Sequence, residues 1–260
     1  MEFKEKYGQY ALITGASSGI GVEFAKQLAE KGLNLILVAR RKARLEKLSN
    51  ELEKKYSIKA IVLPVDLLSD NFLEEIKKTT DQLEVGLLVS NAGMMYIGNY
   101  LDNSLENDLK IIDLNIKVPT ILTHHFVRKM VERKKGGIIY TASMLGFMGT
   151  PFASTYAGTK AHEIVKGESL AYELKPKGID VLVLNPGLTD TEMTSNYDFS
   201  GMPMKLMKPD LVAQSAIDAL GKKVLVTPGF MNNMMNWMSK RIMSRKMNTK
   251  MFGMFMKKAF

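Results

Sequence analysis

Short, nearly continuous runs of Leu, Ile and Val recur along the chain at residues 10–14, 33–39, 60–65, 86–90, 138–142, 181–184 and 224–226. Runs that lack polar alternation are what strands covered on both faces of a parallel sheet require. Between them stand amphipathic stretches at 20–31, 42–55, 71–82, 105–133, 155–174 and 210–220. Alternating strands and helices predict right-handed βαβ units. The expected fold is therefore α/β: one doubly wound domain with a seven-stranded parallel sheet flanked by helices. A crevice should open at the carboxyl ends of its strands.

Composition narrows the chemistry. The 260 residues include no cysteine, which excludes disulfides, thiolate catalysis and Cys-based zinc sites. The first ten residues carry no apolar stretch like a signal peptide, and no run of about 18 apolar residues occurs, so a cytoplasmic protein is expected. His124 and His125 are neighbours and cannot share one helix face, and His162 has no partner at ligand spacing, so no metal site is expected.

The net charge of +9 is unevenly placed. Residues 1–220 are balanced, while 221–260 hold nine Lys/Arg, no acid, and nine of the 19 methionines. The expected division is a catalytic domain over 1–228, with a substrate lid at about 190–208, and a basic helical extension over 229–260.

The first strand runs straight into Thr14-Gly15-Ala16-Ser17-Ser18-Gly19-Ile20-Gly21, and a helix follows. Glycines let the backbone turn tightly and approach a pyrophosphate, whose charge the helix amino terminus favours. Further along, Tyr156 and Lys160 stand four residues apart in a helical stretch and so share a face. An ammonium beside a phenol favours the phenolate, which suits proton exchange at neutral pH. Ser143, at the end of the fifth expected strand, offers a hydroxyl to orient a substrate oxygen.

These motifs, with this glycine spacing, resemble the classical short-chain dehydrogenase/reductase family over residues 8–228. The resemblance implies a Rossmann-type domain and a nicotinamide cofactor. It implies that Asn91-Ala92-Gly93 is the motif after the fourth strand, that Asp66 meets the adenine, and that Pro186-Gly187, Thr189 and Thr191 hold the nicotinamide end. It also makes Asn115 the fourth catalytic member, positioning a water behind Lys160. At the end of the second strand stand Arg40 and Arg41, with no acid until Glu46. Guanidinium groups suit a 2′-phosphate, so NADP(H) is the expected cofactor.

Met94, Met95, Met144, Leu145, Phe147, Met148 and Phe152 are expected around the substrate, joined by Met193, Gly201, Met202, Pro203, Met204 and Met207 from the lid. Such residues adapt to apolar shapes, which favours a hydrophobic carbonyl compound. A closer resemblance, in Gly8-Gln9-Tyr10-Ala11-Leu12-Ile13-Thr14, Lys31-Gly32-Leu33-Asn34, Leu83-Glu84-Val85-Gly86 and Met130-Val131-Glu132-Arg133, is to the branch of very-long-chain 3-oxoacyl-CoA reductases and 17β-hydroxysteroid dehydrogenases. That implies reduction of a lipophilic ketone such as a 3-oxoacyl thioester or steroid-like compound, and a homodimer or homotetramer. The contrasting reading, a nucleotide sensor or membrane-associated protein without turnover, would show a damaged tetrad, and this one is intact.

In the tail, Met231, Met234, Met235, Met238 and Ile242 form one stripe, and Met243, Met247, Met251 and Met254 another. At about 100° per residue the two stripes fall on opposite sides of a single helix, so a bend near 239–244 or two short helices is expected. The tail can be a subunit interface or pocket cover, or an amphipathic segment lying on anionic membrane. No nucleic-acid motif accompanies the charge, so nucleic acid is not an expected partner.

Overall fold

The computed structural model describes residues 3–200 and 206–260. At its centre β1 (Tyr10–Thr14) pairs in parallel with β2 (Asn34–Val38) on one side and β4 (Val85–Ser90) on the other. With β3 (Ala60–Leu63), β5 (Gly136–Thr141), β6 (Ile179–Leu184) and β7 (Leu225–Val226) it builds a seven-stranded sheet, ordered β3-β2-β1-β4-β5-β6-β7. The order reverses beside β1, which opens a crevice there for a ligand.

Successive side chains of a strand point to opposite faces, and both faces are covered here. Ala11 and Ile13 of β1 meet Phe24 and Leu28 of α2 (Gly19–Glu30), Leu45 of α3 (Lys42–Tyr56) and Ile217 of α8 (Pro209–Ala219). Leu12, between them, faces the other layer with Ile76 of α4 (Phe72–Thr80), Phe126 of α6 (Val118–Glu132) and Leu174 of α7 (Ser154–Leu174). That double burial is why the strands read as unbroken apolar runs.

Two features depart from the sequence reading, and the two-helix tail agrees with it. The expected helix over 105–133 is interrupted: α5 (Leu105–Ile112) passes into a π-helical turn at Asp113–Lys117 before α6. π turns frequently mark functional positions, and this one carries the fully buried Asn115. A short α1 (Phe3–Tyr7) precedes β1, held where the Tyr7 hydroxyl donates to Asp180 at 2.9 Å and Lys6 pairs with the same carboxylate at 2.7 Å. The tail folds as two helices, α9 (Phe230–Arg241) and α10 (Arg245–Met256), the second capped by Ser244 accepting from the Met247 amide. Among the described residues no helix is long and apolar enough to cross a membrane.

Helix α7 approaches the sheet closely enough to need glycine. A Cβ on Gly167 would stand 2.3 Å from Val183 Cγ2 and 3.3 Å from the Tyr140 ring. Overpacking costs about 1–3 kcal/mol, against a helix-propensity gain below about 1 kcal/mol. Gly167→Ala is therefore expected to lower unfolding free energy by about 1–2 kcal/mol in urea titrations, where a neutral glycine in a helix would instead gain stability.

Candidate active site

The glycine turn closes the amino-terminal end of the site. The Gly15 amide donates to the Val38 carbonyl at 2.8 Å, so the chain leaves β1 beside the end of β2. Gly15 (φ +70°) and Gly19 (φ +54°) are left-handed, and a Cβ on Gly19 would meet Thr191 Cγ2 at 2.8 Å. Ser18 stands at the N-cap of α2 without a side-chain cap, leaving helix amides free for an anion. Thr14 Oγ1 accepts from the amides of Asn91 and Ala92 at 2.9 and 3.0 Å, and Asn91 Nδ2 donates to the Thr14 carbonyl. The motif after β4 is thereby stitched to β1. Gly15, Ser18, Gly19 and Ile20 line the cleft beside Asn91, Ala92 and Gly93.

At the end of β2, Arg41 donates to both Ser17 and Ser18 hydroxyls, with its Nη2 at 2.9 and 2.8 Å. Its Nη1 pairs with Glu192 at 2.5 Å, and Arg44 pairs with the other oxygen of the same carboxylate. These two guanidinium groups hold the Glu192 carboxyl well down, to about 2. Arg40, expected to share this role, is solvent-exposed. Arg44 and Glu192 had no signal in the sequence, because a contact across some 150 positions leaves no local pattern. Asp66 Oδ1 accepts from the Leu68 amide at 3.0 Å, organising the loop after β3 outside the residues that line the cleft.

Ser143, Tyr156 and Lys160 meet at the cleft floor. Ser143 leaves β5 as the cap of a 3₁₀ turn (Met144–Phe147), its hydroxyl accepting from the Leu145 amide. Tyr156 and Lys160 come from the first turns of α7, with the Lys160 ammonium 5.7 Å from the Tyr156 ring centroid. Burial pushes the Tyr156 phenol up, and the Lys160 charge and a Ser143 hydrogen bond pull it down without cancelling that effect. The net direction is upward, opposite to what the Tyr–Lys spacing alone suggests. Asn115 lies beneath, its Oδ1 accepting from the Met94 amide and its Nδ2 donating to the Met94 carbonyl, both at 2.9 Å. Nδ2 also donates to Thr159 Oγ1 at 3.0 Å. Gly93 keeps the space between Asn115 and Lys160 open.

The cleft offers about 210 Å³ of cavity volume and is mostly apolar. Met95, Met144, Leu145 and Met193 line it as expected, as do Pro186, Gly187, Thr189 and Thr191. Met94 stands outside the lining, its backbone bonded to Asn115, and Met148 is buried outside it too. Phe147 lies under the Lys240 ammonium, 3.6 Å from its centroid, and Phe152 packs on Phe260. Of the lid positions, Gly201, Met202, Pro203 and Met204 lie outside the described residues. The rest of the wall comes from the tail: Met235 of α9 with Phe252, Phe255 and Met256 of α10. No residue of the tail had been expected in the site by number, since its methionines read equally well as a surface stripe.

A family model described as short chain dehydrogenase matches residues 9–199. The 7beta-hydroxysteroid dehydrogenase of Clostridium sardiniense is 31% identical over 234 residues, 89% of this chain and 90% of that protein. The very-long-chain 3-oxoacyl-CoA reductase of Mus musculus is 31% identical over 231 residues, 86% of this chain and 70% of that one. A structure solved to explain 7beta-hydroxysteroid dehydrogenase stereoselectivity superposes with a TM-score of 0.89 at 26% identity, covering 97% of this chain and 99% of its own. The short-chain dehydrogenase from Sphingobium yanoikuyae in complex with NADPH superposes with a TM-score of 0.81 at 28% identity, over 91% and 96% of the two chains. Sheet order, glycine turn, Ser-Tyr-Lys floor and these matches agree: the chain belongs to the short-chain dehydrogenase family, oxidoreductases that act on hydroxyl and keto groups with a nicotinamide cofactor.

Proposed function

We propose that the protein is an NADPH-dependent reductase of a hydrophobic ketone, a 3-oxoacyl thioester or a steroid-like compound, with Tyr156 as proton donor. The observation that carries this reading is one cleft with a glycine turn and a free helix amino terminus at one end, Ser143, Tyr156 and Lys160 at its floor, and Met and Phe side chains around the remainder. A reduced nicotinamide held beside Pro186, Gly187, Thr189 and Thr191 would supply hydride to the carbonyl carbon. Ser143 orients the carbonyl oxygen by hydrogen bonding. The Tyr156 hydroxyl gives its proton to that oxygen as negative charge develops there. Burial holds the phenol above its ordinary range, so the hydroxyl carries the proton that reduction consumes. Asn115 supports the relay by fixing the loop at Met94 beside Lys160.

The choice of NADPH rests on Arg41 and Arg44, which already hold a carboxylate beside the Ser17 and Ser18 hydroxyls. A 2′-phosphate presents a charge of the same sign and greater size, with more acceptor oxygens. The apolar residues exposed on α5 and α7, Leu105, Leu109 and Ile112 with Val165 and Tyr172, support a homo-oligomer formed through those helices.

The tail supports contact with anionic membrane. In α9 the usual polarity is inverted: Asn232, Asn236 and Ser239 are buried, while Phe230, Met231, Met234, Trp237 and Met238 face outward. Exposed Arg241, Arg245 and Lys246 flank this stripe, and no acid occurs after residue 220. Pairing two copies of the face would bring like charges together, whereas an anionic lipid surface complements them.

Three outcomes are expected. NADPH oxidation with 3-oxoacyl thioesters or steroid ketones should fall by about 10²-fold or more in Tyr156→Phe; retained turnover would remove the assigned role. Arg41→Ala should weaken NADPH binding roughly tenfold or more while leaving NADH binding nearly unchanged, measured by fluorescence titration. Trp237 is the sole tryptophan. Its emission should shift to the blue with phosphatidylglycerol vesicles at low salt, and Phe230→Glu/Met234→Glu should abolish the shift. An unchanged spectrum, or loss of a dimer in the double variant, would assign the face to another copy of the chain.

A further inference from the structure

Lys160 does not stand alone beneath the cleft. Its ammonium donates to the Thr141 carbonyl and to Glu163 Oε2, both at 2.8 Å. Lys160 is 3% exposed and Glu163 2%, so the pair is sealed from water. An ammonium has three donors, and these contacts use two, leaving one for the cleft that Lys160 lines. Three residues apart on α7, the two side chains share a face.

A carboxylate in that position is costly. Desolvating it takes several kcal/mol, and an apolar residue of similar size in its place is often neutral or better for stability. Yet the surroundings need no charge there for packing: α7 is already seated on β5 and β6 through Tyr140, Val183 and Gly167. Glu163 lies between two lysines on its own helix, Lys160 one turn before and Lys166 one turn after. The Lys166 ammonium is tethered to Thr120 Oγ1 of α6 at 2.7 Å. From β5, the Tyr140 phenol faces the same carboxyl while hydrogen-bonded to Thr123. Among the described residues, Lys160 and Lys166 are the charges acting on Glu163, and Tyr140, Tyr156 and both lysines respond to it.

We infer that Glu163 is a positioning residue whose buried carboxylate anchors the Lys160 ammonium and limits how much of that positive charge reaches Tyr156. This deepens the proposed reductase function and rests on that reading only for its catalytic consequence. Burial works against the Lys160 charge, and the Glu163 charge, Tyr156 and the Glu163 hydrogen bond together outweigh it, so the lysine stays an ammonium. Glu163 itself is pushed up to about 7 by burial, against the pull of Lys160. Above that pH the carboxylate opposes ionisation of Tyr156 and holds it as the acid that carbonyl reduction needs. Below it, the same lysine acts on the phenol unopposed.

The test uses the whole chain as wild type, Glu163→Gln and Glu163→Asp, each with and without Tyr156→Phe. Subtracting alkaline ultraviolet titrations of each pair isolates the Tyr156 phenol. In Glu163→Gln, which keeps size and an acceptor but loses the charge, that ionisation should move about one pH unit lower. The pH at which kcat/KM for alcohol oxidation rises, where Tyr156 must have lost its proton, should move down with it. Glu163→Asp, which retains the charge, should stay near wild type. A phenol titration unchanged or moved upward in Glu163→Gln overturns the inference, even if thermal stability falls. A protein that turns over no ketone yet shows the titration shift refutes the reductase reading and leaves this one standing.

Discussion

An ammonium buried under the cleft sets the terms for the structure around it. Without partners it would lose its proton or draw in water, so every element near Lys160 must come within hydrogen-bonding reach or stay out of the way. The Thr141 carbonyl, at the last position of β5, is one partner and Glu163 is the other. Reaching both requires α7 to lie against β5 and β6. Two glycines permit this: Gly167, where a Cβ would strike Val183, and Gly146, where it would stand 2.6 Å from the Lys160 carbonyl carbon. The 3₁₀ turn that carries Ser143 is thereby held on the same helix. Gly93 and the π-helical turn at Asn115 complete the enclosure from the opposite side.

The parts of this arrangement that were legible in the sequence are those with a local signature. Strands covered on both faces announce themselves as Leu37-like apolar runs, and the turn from Thr14 to Gly21 carries its geometry in its glycines. Ser143, Tyr156 and Lys160 were recognisable because their spacing is fixed by one strand end and one helix. Glu163 was invisible for the opposite reason. On α7 it reads as one more polar residue of an amphipathic helix, and only the depth of its burial distinguishes it. The π turn was equally silent, since inserting a wider turn leaves the apolar periodicity of 105–133 nearly intact. Phe252 and Phe255 read as tail residues because nothing local tells which side of α10 meets the cleft.

The two ends of the cleft are mechanically joined. Thr191 lies against Gly19, and the next residue, Glu192, reaches across to Arg41 and Arg44 at the end of β2. A segment that follows β6 is thus fastened to the same guanidinium groups that suit a phosphate. Exposed ion pairs contribute little to folding stability, so this contact matters more for where the segment rests than for how firmly the fold holds. The Glu192 carboxylate occupies that cationic corner, and Thr191, Met193 and Thr194 of the same segment line the cleft.

The inverted polarity of α9 follows from what lies beneath it. Asparagine amides tie it to the segment beneath: Asn232 donates to the Pro228 carbonyl and Met207 Sδ, Asn233 to the Thr227 carbonyl, and Asn236 to Thr227 Oγ1. A Cβ on Gly187 would stand 2.7 Å from Asn232 Nδ2, so the helix is seated directly on the segment that closes the cleft. Buried backbone carbonyls need donors, and asparagine provides them where methionine cannot. With the inner face committed to amides, Met235 alone of the apolar residues Phe230, Met231, Met234, Met235, Trp237 and Met238 reaches the cleft, and the others face outward. Had those positions served the core alone, α9 would carry them inward, as α10 does with Phe252 and Met256. The two adjacent helices of one tail differ in what they face: α10, with Met235 of α9, lines the cleft, and Phe230, Trp237 and their neighbours on α9 face outward.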